Sequence, residues 1–304
     1  MVVKALGAHY FEDDGFPMNI CRIEKRANIS HKFDLTEVEH FHDFHELVFI
    51  VKGKGIQVIE QNEYLVSAGD VFALQGNQRH FFKDASGIEI VNVMFDPQSE
   101  KKLISSFIQK LEGYNALFIL ESNYRAQYHF KNKLHLNRSE LAKLEFILNS
   151  MIQEQENKLE GYHCLLQNKF EELIILLSRH YSMLESTEAK SLVRIGKVID
   201  YLENNFVEKI YLDEISEMTF MSSRNFQRIF KKAVGLTLFQ YINHIRLQNA
   251  RKLLRKTETP ISEVAIESGF TDSNYFTKCF KKEFNCTPIN FRMRNKSSLK
   301  SSSA

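Results

Sequence analysis

One internal repeat limits the possible folds of this chain more than any other feature of its sequence. At an offset of 50 residues, the segment Phe230–Lys232 recurs as Phe280–Lys282, and Gly235 corresponds to Asn285. Gly and Asn are the residues that best tolerate the left-handed backbone conformation in which many helices end. Each copy of the repeat therefore predicts a helix that ends at this glycine or asparagine.

Each copy also predicts a complete helix-turn-helix, because a short helix and a tight turn precede the repeated segment. The first unit is expected to have helices over 212–218 and 223–233, and the second over 261–267 and 272–284. Between them, a helical pattern over 237–256 would span about 30 Å, close to the roughly 34 Å of one turn of B-DNA. A connector of that length can hold two recognition helices in successive major grooves.

The second helix of each unit is amphipathic, with basic and amide side chains on its exposed side. Arg224 and Arg228 are four residues apart, so they share one side of the first of these helices. In the second, Asn274, Lys278 and Lys281 are expected to be exposed. Arg can read guanine, and Asn can read adenine, through two parallel hydrogen bonds. The alternative is a pair of ordinary helical hairpins with solvated cationic faces.

The charge of the chain is divided between its two ends. Residues 190–304 hold 20 basic and 11 acidic side chains, a net +9, whereas residues 1–189 carry a net −7 and the whole chain only +2. A positive block favours a polyanionic partner such as DNA. With 304 residues, the chain is expected to form two domains with different roles.

The N-terminal part alternates short apolar runs with glycines, which predicts a β-sandwich or β-barrel. The clearest strand-like runs are 46–51, 55–59, 70–74 and 88–95. Asn137 and Glu140 form the pattern of a capping box, which predicts that a helix begins there. A further helix is expected over 162–181, with an apolar stripe made of Leu166, Phe170, Leu173, Leu177 and Tyr181. The stripe either forms a dimer seam or packs on the strands.

A histidine-rich segment in the strand region fits the first cupin motif. His40, His42, Glu46 and Gly53 have its spacing, and alternation along a strand would place the first three side chains on one face. Gly69 and His80 fit the second cupin motif, although Gln75 and Asn77 replace its Pro and Gly. Histidines with a carboxylate suit a transition metal. They equally suit a pocket for an organic effector, or a purely structural use.

The segment 268–292 resembles the signature of AraC/XylS-type transcriptional regulators, and the resemblance covers about 190–295. It departs at Asn285, where that family usually has Gly, and at Leu238, where the first repeat lacks the proline found at 288. The resemblance implies that both helix-turn-helix units bind double-stranded DNA. The implied DNA-binding residues are Arg224, Asn225, Gln227, Arg228 and Lys231, followed by Asp272, Ser273, Asn274, Thr277, Lys278 and Lys281.

Further motifs are similar to those of the L-rhamnose-operon regulators of that family: 42–46, 53–56, 79–80 and 91–93. This resemblance implies an activator of carbohydrate genes that responds to a small sugar. The implied effector-binding residues are His40, His42, Glu46, Arg79 and His80. RNA polymerase and a second copy of the chain are the other expected partners, and no cofactor, metal or catalytic residue is expected. The alternative is a metal-dependent cupin enzyme fused to a DNA-binding module.

The expected architecture is therefore α+β, with an N-terminal cupin-like β-barrel and trailing helices, then an all-α domain with two helix-turn-helix units. The barrel domain, over 1–185, would bind the effector and dimerise. A linker over 185–190 would lead to the DNA-binding domain over 190–296 and a disordered tail over 297–304. No apolar stretch is long enough for a membrane span, and the N-terminus lacks the pattern of a secretory signal. Four scattered cysteines favour the cytoplasm.

Overall fold

Short strands, several of them buried on both faces, form two five-stranded sheets in the N-terminal half of the computed structural model, which describes residues 2–11, 15–24, 36–85, 87–121 and 133–301. The strands are β1 Val3–Ala5, β2 Met18–Glu24, β3 His40–His42, β4 His45–Lys52, β5 Lys54–Ile59, β6 Asn62–Ser67, β7 Asp70–Leu74, β8 His80–Asp84, β9 Glu89–Phe95 and β10 Leu134–His135. The predicted strands at 46–51, 55–59, 70–74 and 88–95 are confirmed as β4, β5, β7 and β9, with ends that agree to within one residue.

The first sheet has the strand order β1-β3-β8-β5-β6, and the second has the order β10-β7-β4-β9-β2. Strands β1 and β3 are parallel, and the other described pairs are antiparallel. The core lies between the sheets, because one cluster of buried side chains draws on both of them, with Ile59 and Phe82 from the first and Val48, Phe72 and Met94 from the second. The β-rich half of the predicted fold is confirmed.

Helices follow the strands and cover the outer side of the second sheet. They are α1 Glu100–Leu103, α2 Ser106–Gln109, α3 Glu112–Tyr114, the π-helical segment Asn115–Glu121, α4 Arg138–Asn157 and α5 Tyr162–Ser182, and a short 3-10 turn lies at Gly7–His9. The capping box predicted at the start of α4 is confirmed. The Asn137 side chain accepts hydrogen bonds from the backbone of Ser139 and Glu140, and the Glu140 carboxylate accepts one from Asn137 N at 2.8 Å.

The apolar stripe of α5 lies inside the fold of a single chain. Leu166, Phe170, Leu173, Leu177 and Tyr181 are all buried. The Phe170 ring lies 5.1 Å from the ring of Phe95 on β9, and α5 packs against α3 and α4. The stripe is therefore not a dimer seam, because strands and neighbouring helices of the same chain cover it. The alternative, packing on the strand domain, is what the structure shows.

The chain divides into two compact units, Met1–Gly196 (unit 1) and Lys197–Ala304 (unit 2). The expected linker at 185–190 is largely helical, since α6 runs over Thr187–Asn205 and contains the boundary between the units. The sequence signal for a linker was low apolar content, which is also typical of the first turn of a solvent-facing helix. At the other end, α12 extends to Ser301 into the tail expected to be disordered, and residues 302–304 lie outside the described residues.

Unit 2 contains both predicted helix-turn-helix units. After α6 come α7 Leu212–Thr219, α8 Ser223–Val234, α9 Leu238–Lys256, α10 Ile261–Glu267, α11 Ser273–Phe284 and α12 Pro288–Ser301. The recognition helices α8 and α11 end at Gly235 (φ 79°) and Asn285 (φ 54°), both in the left-handed conformation. The repeat thus predicted both helix ends correctly, and the all-α half of the fold is confirmed.

The two turns differ in how they reach the left-handed conformation. The second turn uses Gly269 (φ 85°), whereas the first uses Phe220 (φ 52°). A bulky residue with positive φ is uncommon, because its Cβ crowds the backbone. The Phe220 side chain is 85% exposed, so burial of the ring does not offset this strain.

None of the helices among the described residues combines the length and the apolar character that crossing a membrane requires.

Candidate functional site

A cavity opens between the two sheets of unit 1, and it contains about 480 Å³ of space between atoms, part of it continuous with solvent. His40, His42, Glu46 and His80, which the sequence predicted as effector-binding residues, all line it. The sequence predicted that His40, His42 and Glu46 would lie on one face of a single strand, and the structure differs from this expectation. The two histidines of β3 belong to the first sheet and Glu46 of β4 to the second, because the chain turns between His42 and His45. The side chains converge because the sheets face each other.

Glu46 lies at the centre of this group. Its Oε2 atom is 3.1 Å from Nε2 of His42 and 3.1 Å from Nε2 of His80, and all three residues are buried. His40 pairs with His80 across β3 and β8, with ring centroids 4.2 Å apart. The arrangement concentrates one carboxylate and three imidazoles in a small volume.

Backbone carbonyls fix the orientation of the imidazoles. Nδ1 of His42 lies 2.7 Å from Phe44 O, and Nδ1 of His80 lies 3.0 Å from Gln78 O. A carbonyl oxygen only accepts hydrogen bonds, so Nδ1 carries a proton in both rings. Nε2 of each ring is thereby directed at Glu46. The Glu46 carboxylate is stabilised there either by a hydrogen bond from an Nε2–H group or by a cation bound between the carboxylate and the imidazoles.

Burial and hydrogen bonding shift the pKa values of this group in different ways. Burial alone would raise the pKa of Glu46, but the hydrogen bonds from His42 and His80 outweigh it and hold the pKa below its usual range. Burial, reinforced by His80, lowers the pKa of His40 to about 4. At neutral pH the cavity therefore holds an ionised carboxylate beside a neutral His40.

Three of these residues could also hold a metal ion. The ligand atoms of His42, Glu46 and His80 lie within 4.8 Å of one another. Two imidazole nitrogens with protonated Nδ1 atoms and one carboxylate form a donor set that fits a divalent transition metal. The chemistry of the set thus admits either an ion or an organic molecule.

Arg79 does not belong to this group, although the sequence predicted it as an effector-binding residue. It is exposed and does not line the cavity, and its backbone N–H donates to Glu60 Oε1 at 3.1 Å. His80 points into the cavity, and alternation turns its neighbour outward. The resemblance that included Arg79 concerned a pair of adjacent residues, of which only one can face inward.

Two polar side chains that the sequence analysis missed line the cavity as well. Gln57 of β5 and Asn92 of β9 are both buried there. Each is flanked on both sides by apolar residues of its strand. A polar residue at such a position normally predicts a side chain that faces solvent, so neither was recognised.

His45 faces the other side of β4. Together with Phe95, Glu100 and Phe118 it lines a second cavity, between the second sheet and the helices. Its Nδ1 accepts a hydrogen bond from Gly76 N at 3.3 Å. Burial, reinforced by His42, lowers the pKa of His45 to about 4.

In unit 2, the recognition helices place their apolar faces inward and their polar faces outward. Phe226, Phe230, Phe276 and Phe280 are fully buried. On α8 the predicted DNA-binding residues Arg224, Gln227, Arg228 and Lys231 are exposed, and Asn225 is partly exposed. On α11, Asp272, Ser273, Asn274, Lys278 and Lys281 are exposed, and Thr277 is partly exposed. Their base contacts stay a prediction.

Some of these side chains already have local partners. Asn225 Oδ1 accepts a hydrogen bond from Arg228 Nη2 at 2.9 Å, which orients the guanidinium along α8. Asp272 caps α11, because its Oδ1 accepts a hydrogen bond from Tyr275 N at 2.8 Å. Ser222 occupies the equivalent capping position of α8. The resemblance implied Asp272 as a DNA-binding residue, and the structure adds this capping role.

Comparison with protein families gives two matches. Residues 28–110 match the AraC-like ligand binding domain, and residues 215–294 match a helix-turn-helix domain. The first range includes the cavity residues of β3, β4, β5, β8 and β9, and the second includes both recognition helices.

Relatives extend over most of the chain. The HTH-type transcriptional activator RhaS of Enterobacter sp. (strain 638) is 30% identical over 261 residues, which is 86% of this chain and 89% of that protein. RhaS of Escherichia coli (strain SE11) is 30% identical over 255 residues, which is 84% of this chain and 87% of that protein. Among solved structures, an AraC-type regulator from Chromobacterium violaceum is 28% identical, with a TM-score of 0.33, over 35% of this chain and 96% of that one.

Proposed function

Because the chain belongs to the AraC family of transcriptional regulators, we propose that it activates carbohydrate-utilisation genes in response to a small sugar bound between the sheets of unit 1. The observation that carries the sugar response is the buried cavity in which Glu46, His42 and His80 converge. Sugar hydroxyls both donate and accept hydrogen bonds. Imidazoles can donate to them, and imidazoles and a carboxylate can accept from them. The relatives named HTH-type transcriptional activator RhaS support the direction of regulation.

In this proposal the two recognition helices read DNA in successive major grooves. The connector α9 has 19 residues, which corresponds to a length of about 28 Å. The net positive charge of the C-terminal part supplies the sequence-independent affinity, and the exposed side chains of α8 and α11 supply the base contacts.

The proposal includes RNA polymerase and a second copy of the chain as partners, and action in the cytoplasm. Activation requires contact with the polymerase or help in recruiting it. The four cysteines, Cys21, Cys164, Cys279 and Cys286, form no disulfide among the described residues, which agrees with a reducing compartment. A dimer would have to use a surface other than the stripe on α5, since that stripe is buried within one chain.

A thermal-shift screen of monosaccharides against the full chain tests the effector. A ligand of the native state raises the melting temperature by mass action. The sugars that bind are then added to a reporter assay driven by a DNA site selected from a random pool. A rise in reporter output with the sugar that raises the melting temperature supports the proposal, and a fall would make the protein a repressor.

A second candidate function is a metal-dependent cupin enzyme fused to the DNA-binding unit. The short distances among the ligand atoms of His42, Glu46 and His80 favour it. Metal analysis of the purified chain, before and after EDTA, separates the two functions. Stoichiometric metal whose removal abolishes an activity, and whose return restores it, would favour the enzyme.

A further inference from the structure

Two buried amides in the cavity have hydrogen-bonding atoms without partners. Among the described residues, no group bonds to either Nε2 or Oε1 of Gln57, whose side chain is fully buried. The Oδ1 atom of Asn92 is likewise buried without a partner in the described part of the chain. Both side chains line the cavity between the sheets.

Such an arrangement is costly in a folded protein. The large majority of buried polar atoms have hydrogen-bond partners, and an amide that loses water without gaining a partner destabilises the native state. An apolar residue of similar size at position 57 would remove this cost. A molecule that enters the cavity and completes the hydrogen bonds of these amides would explain why polar residues occupy the two positions.

The two amides lie on opposite walls of the cavity. Gln57 belongs to β5 of the first sheet, between β6 and β8, and Asn92 belongs to β9 of the second sheet, between β2 and β4. Asn92 is paired with Val48 and with Cys21, which also line the cavity. A molecule between the sheets can thus contact an amide on each side as well as the group around Glu46.

The charges around the cavity limit the class of molecule. No lysine or arginine is among the described residues that line it, and the Glu46 carboxylate already occupies the facing nitrogens of His42 and His80. A carboxylate or phosphate on the ligand would enter a buried site without an arginine or lysine to pair with, and it would compete with Glu46 for the two imidazoles. Amides, in contrast, recognise hydroxyls by donating and accepting hydrogen bonds.

We propose that the cavity selects an uncharged polyhydroxylated ligand, that Gln57 and Asn92 contact its hydroxyls directly, and that sugar acids and sugar phosphates are excluded. This rests on the proposed sugar response and adds the ligand class and two specificity-determining residues. Buried water is the alternative partner for the amides.

The test compares the full chain with its Gln57→Leu and Asn92→Leu variants. The probes are neutral aldopentoses, aldohexoses and 6-deoxyhexoses, including L-rhamnose and D-galactose, together with D-galacturonate and D-galactose 6-phosphate. We expect neutral sugars alone to raise the melting temperature of the wild type. Each variant should keep or exceed the melting temperature of the ligand-free wild type, yet bind the neutral sugar roughly tenfold more weakly.

Gln155→Leu is the matched control. The Gln155 amide is satisfied, because it donates to Ile20 O at 3.0 Å and accepts from Ile20 N at 2.9 Å, and it does not line the cavity. Its loss should lower the melting temperature without changing the affinity for the sugar. The opposite behaviour of two glutamine-to-leucine changes separates ligand contact from structural support.

The outcomes distinguish this inference from the proposed function. If a neutral sugar binds the wild type and both leucine variants equally, the amides serve buried water and the inference is wrong, while the sugar response stands. If only the anionic sugars bind, the ligand class is wrong. If no sugar of either class shifts the melting temperature, the sugar response itself fails, and this inference fails with it.

Discussion

Glu46 Oε2 and His80 Nε2 lie 3.1 Å apart and join strands of two different sheets, β4 of the second and β8 of the first. With His42, which bonds the same carboxylate, this contact is a polar link across the inside of the sandwich. The link therefore fixes the distance between these two strands at one end of the cavity.

The first prediction concerns Glu46. Glu46→Ala should weaken the effector response, because a buried polar contact to the sugar is lost at a cost of about 1–3 kcal/mol. Titration of reporter output with the effector measures this as a shift of the half-maximal concentration. Glu63→Ala is the control, since Glu63 is an exposed carboxylate on β6 that pairs with Lys83 outside the cavity. An unchanged curve for Glu46→Ala would remove Glu46 from the effector site.

The second prediction concerns base reading by α8. Arg224→Ala or Arg228→Ala should cost about 1–3 kcal/mol at a selected DNA site and relax the preference at one base pair. The control is Lys252→Ala, an exposed cation on the connector α9, whose loss should weaken all sequences alike. Binding to selected and random DNA is compared at one salt concentration. Equal losses on both DNAs for the arginine variants would show that they contact only phosphates.

The third prediction concerns the independence of the DNA-binding unit. A fragment over 187–304, which keeps α6 whole, should fold and bind DNA with an affinity that falls steeply as salt rises. A fragment over 197–304 cuts α6 at the unit boundary and removes the buried residues Leu192 and Ile195. Circular dichroism measures whether each fragment folds, and DNA titration measures whether it binds. If the longer fragment is insoluble, unit 2 needs unit 1 to fold.

The fourth prediction concerns pH. Burial lowers the folded-state pKa of His40 and of His45 to about 4, whereas an unfolded histidine titrates near 6.5. Between these values the unfolded chain binds protons that the native chain does not, so the free energy of unfolding should decrease as pH falls from about 6.5 towards 4. Glu46 affects the free energy of unfolding at lower pH than the histidines do. Its stabilising contribution is lost only as pH falls below about 4.3, the pKa of an unfolded glutamate.

Urea titrations at pH 7.5 and pH 5 measure this effect. His45→Gln keeps a group that can accept the Gly76 hydrogen bond but cannot titrate, so its midpoint should depend less on pH than that of the wild type. Identical pH dependence in the variant would show that His45 does not contribute.

The fifth prediction concerns the first helix-turn-helix turn. Phe220→Gly should raise the free energy of unfolding by about 1 kcal/mol, because glycine adopts the left-handed conformation without crowding. Phe220→Ala removes the ring but keeps Cβ, so it should give no such gain. Thermal melts of both variants decide whether the backbone or the exposed ring determines the effect.

Helices α7 to α11 could be predicted to within about a residue, because caps and apolar spacing are local properties of the sequence, whereas α6 and α12 were not predicted. Thr237, for example, caps α9 through a reciprocal pair with Gln240, and Asn285 ends α11 as its repeat partner Gly235 ends α8. Such signals do not depend on the rest of the fold.

What covers an apolar face could not be predicted from the sequence. The stripe with Phe170 has the spacing of an exposed seam, and only the fold shows that Phe95 and the neighbouring helices cover it. The site shows the same limit. A motif predicted Glu46 and His80, but Gln57 and Asn92 follow no motif, since their importance comes from strands of opposite sheets that face each other.

The caps of the two recognition helices also differ in charge. Ser222 begins α8 with a neutral side chain, whereas Asp272 begins α11 with a carboxylate at the end of the helix that carries the partial positive charge. The N-terminus of α8 thus keeps its full partial positive charge, whereas the Asp272 carboxylate offsets part of that charge at the N-terminus of α11. If both helices contact DNA as proposed, their fixed order and unequal caps would let one molecule distinguish the two ends of the DNA segment that it covers.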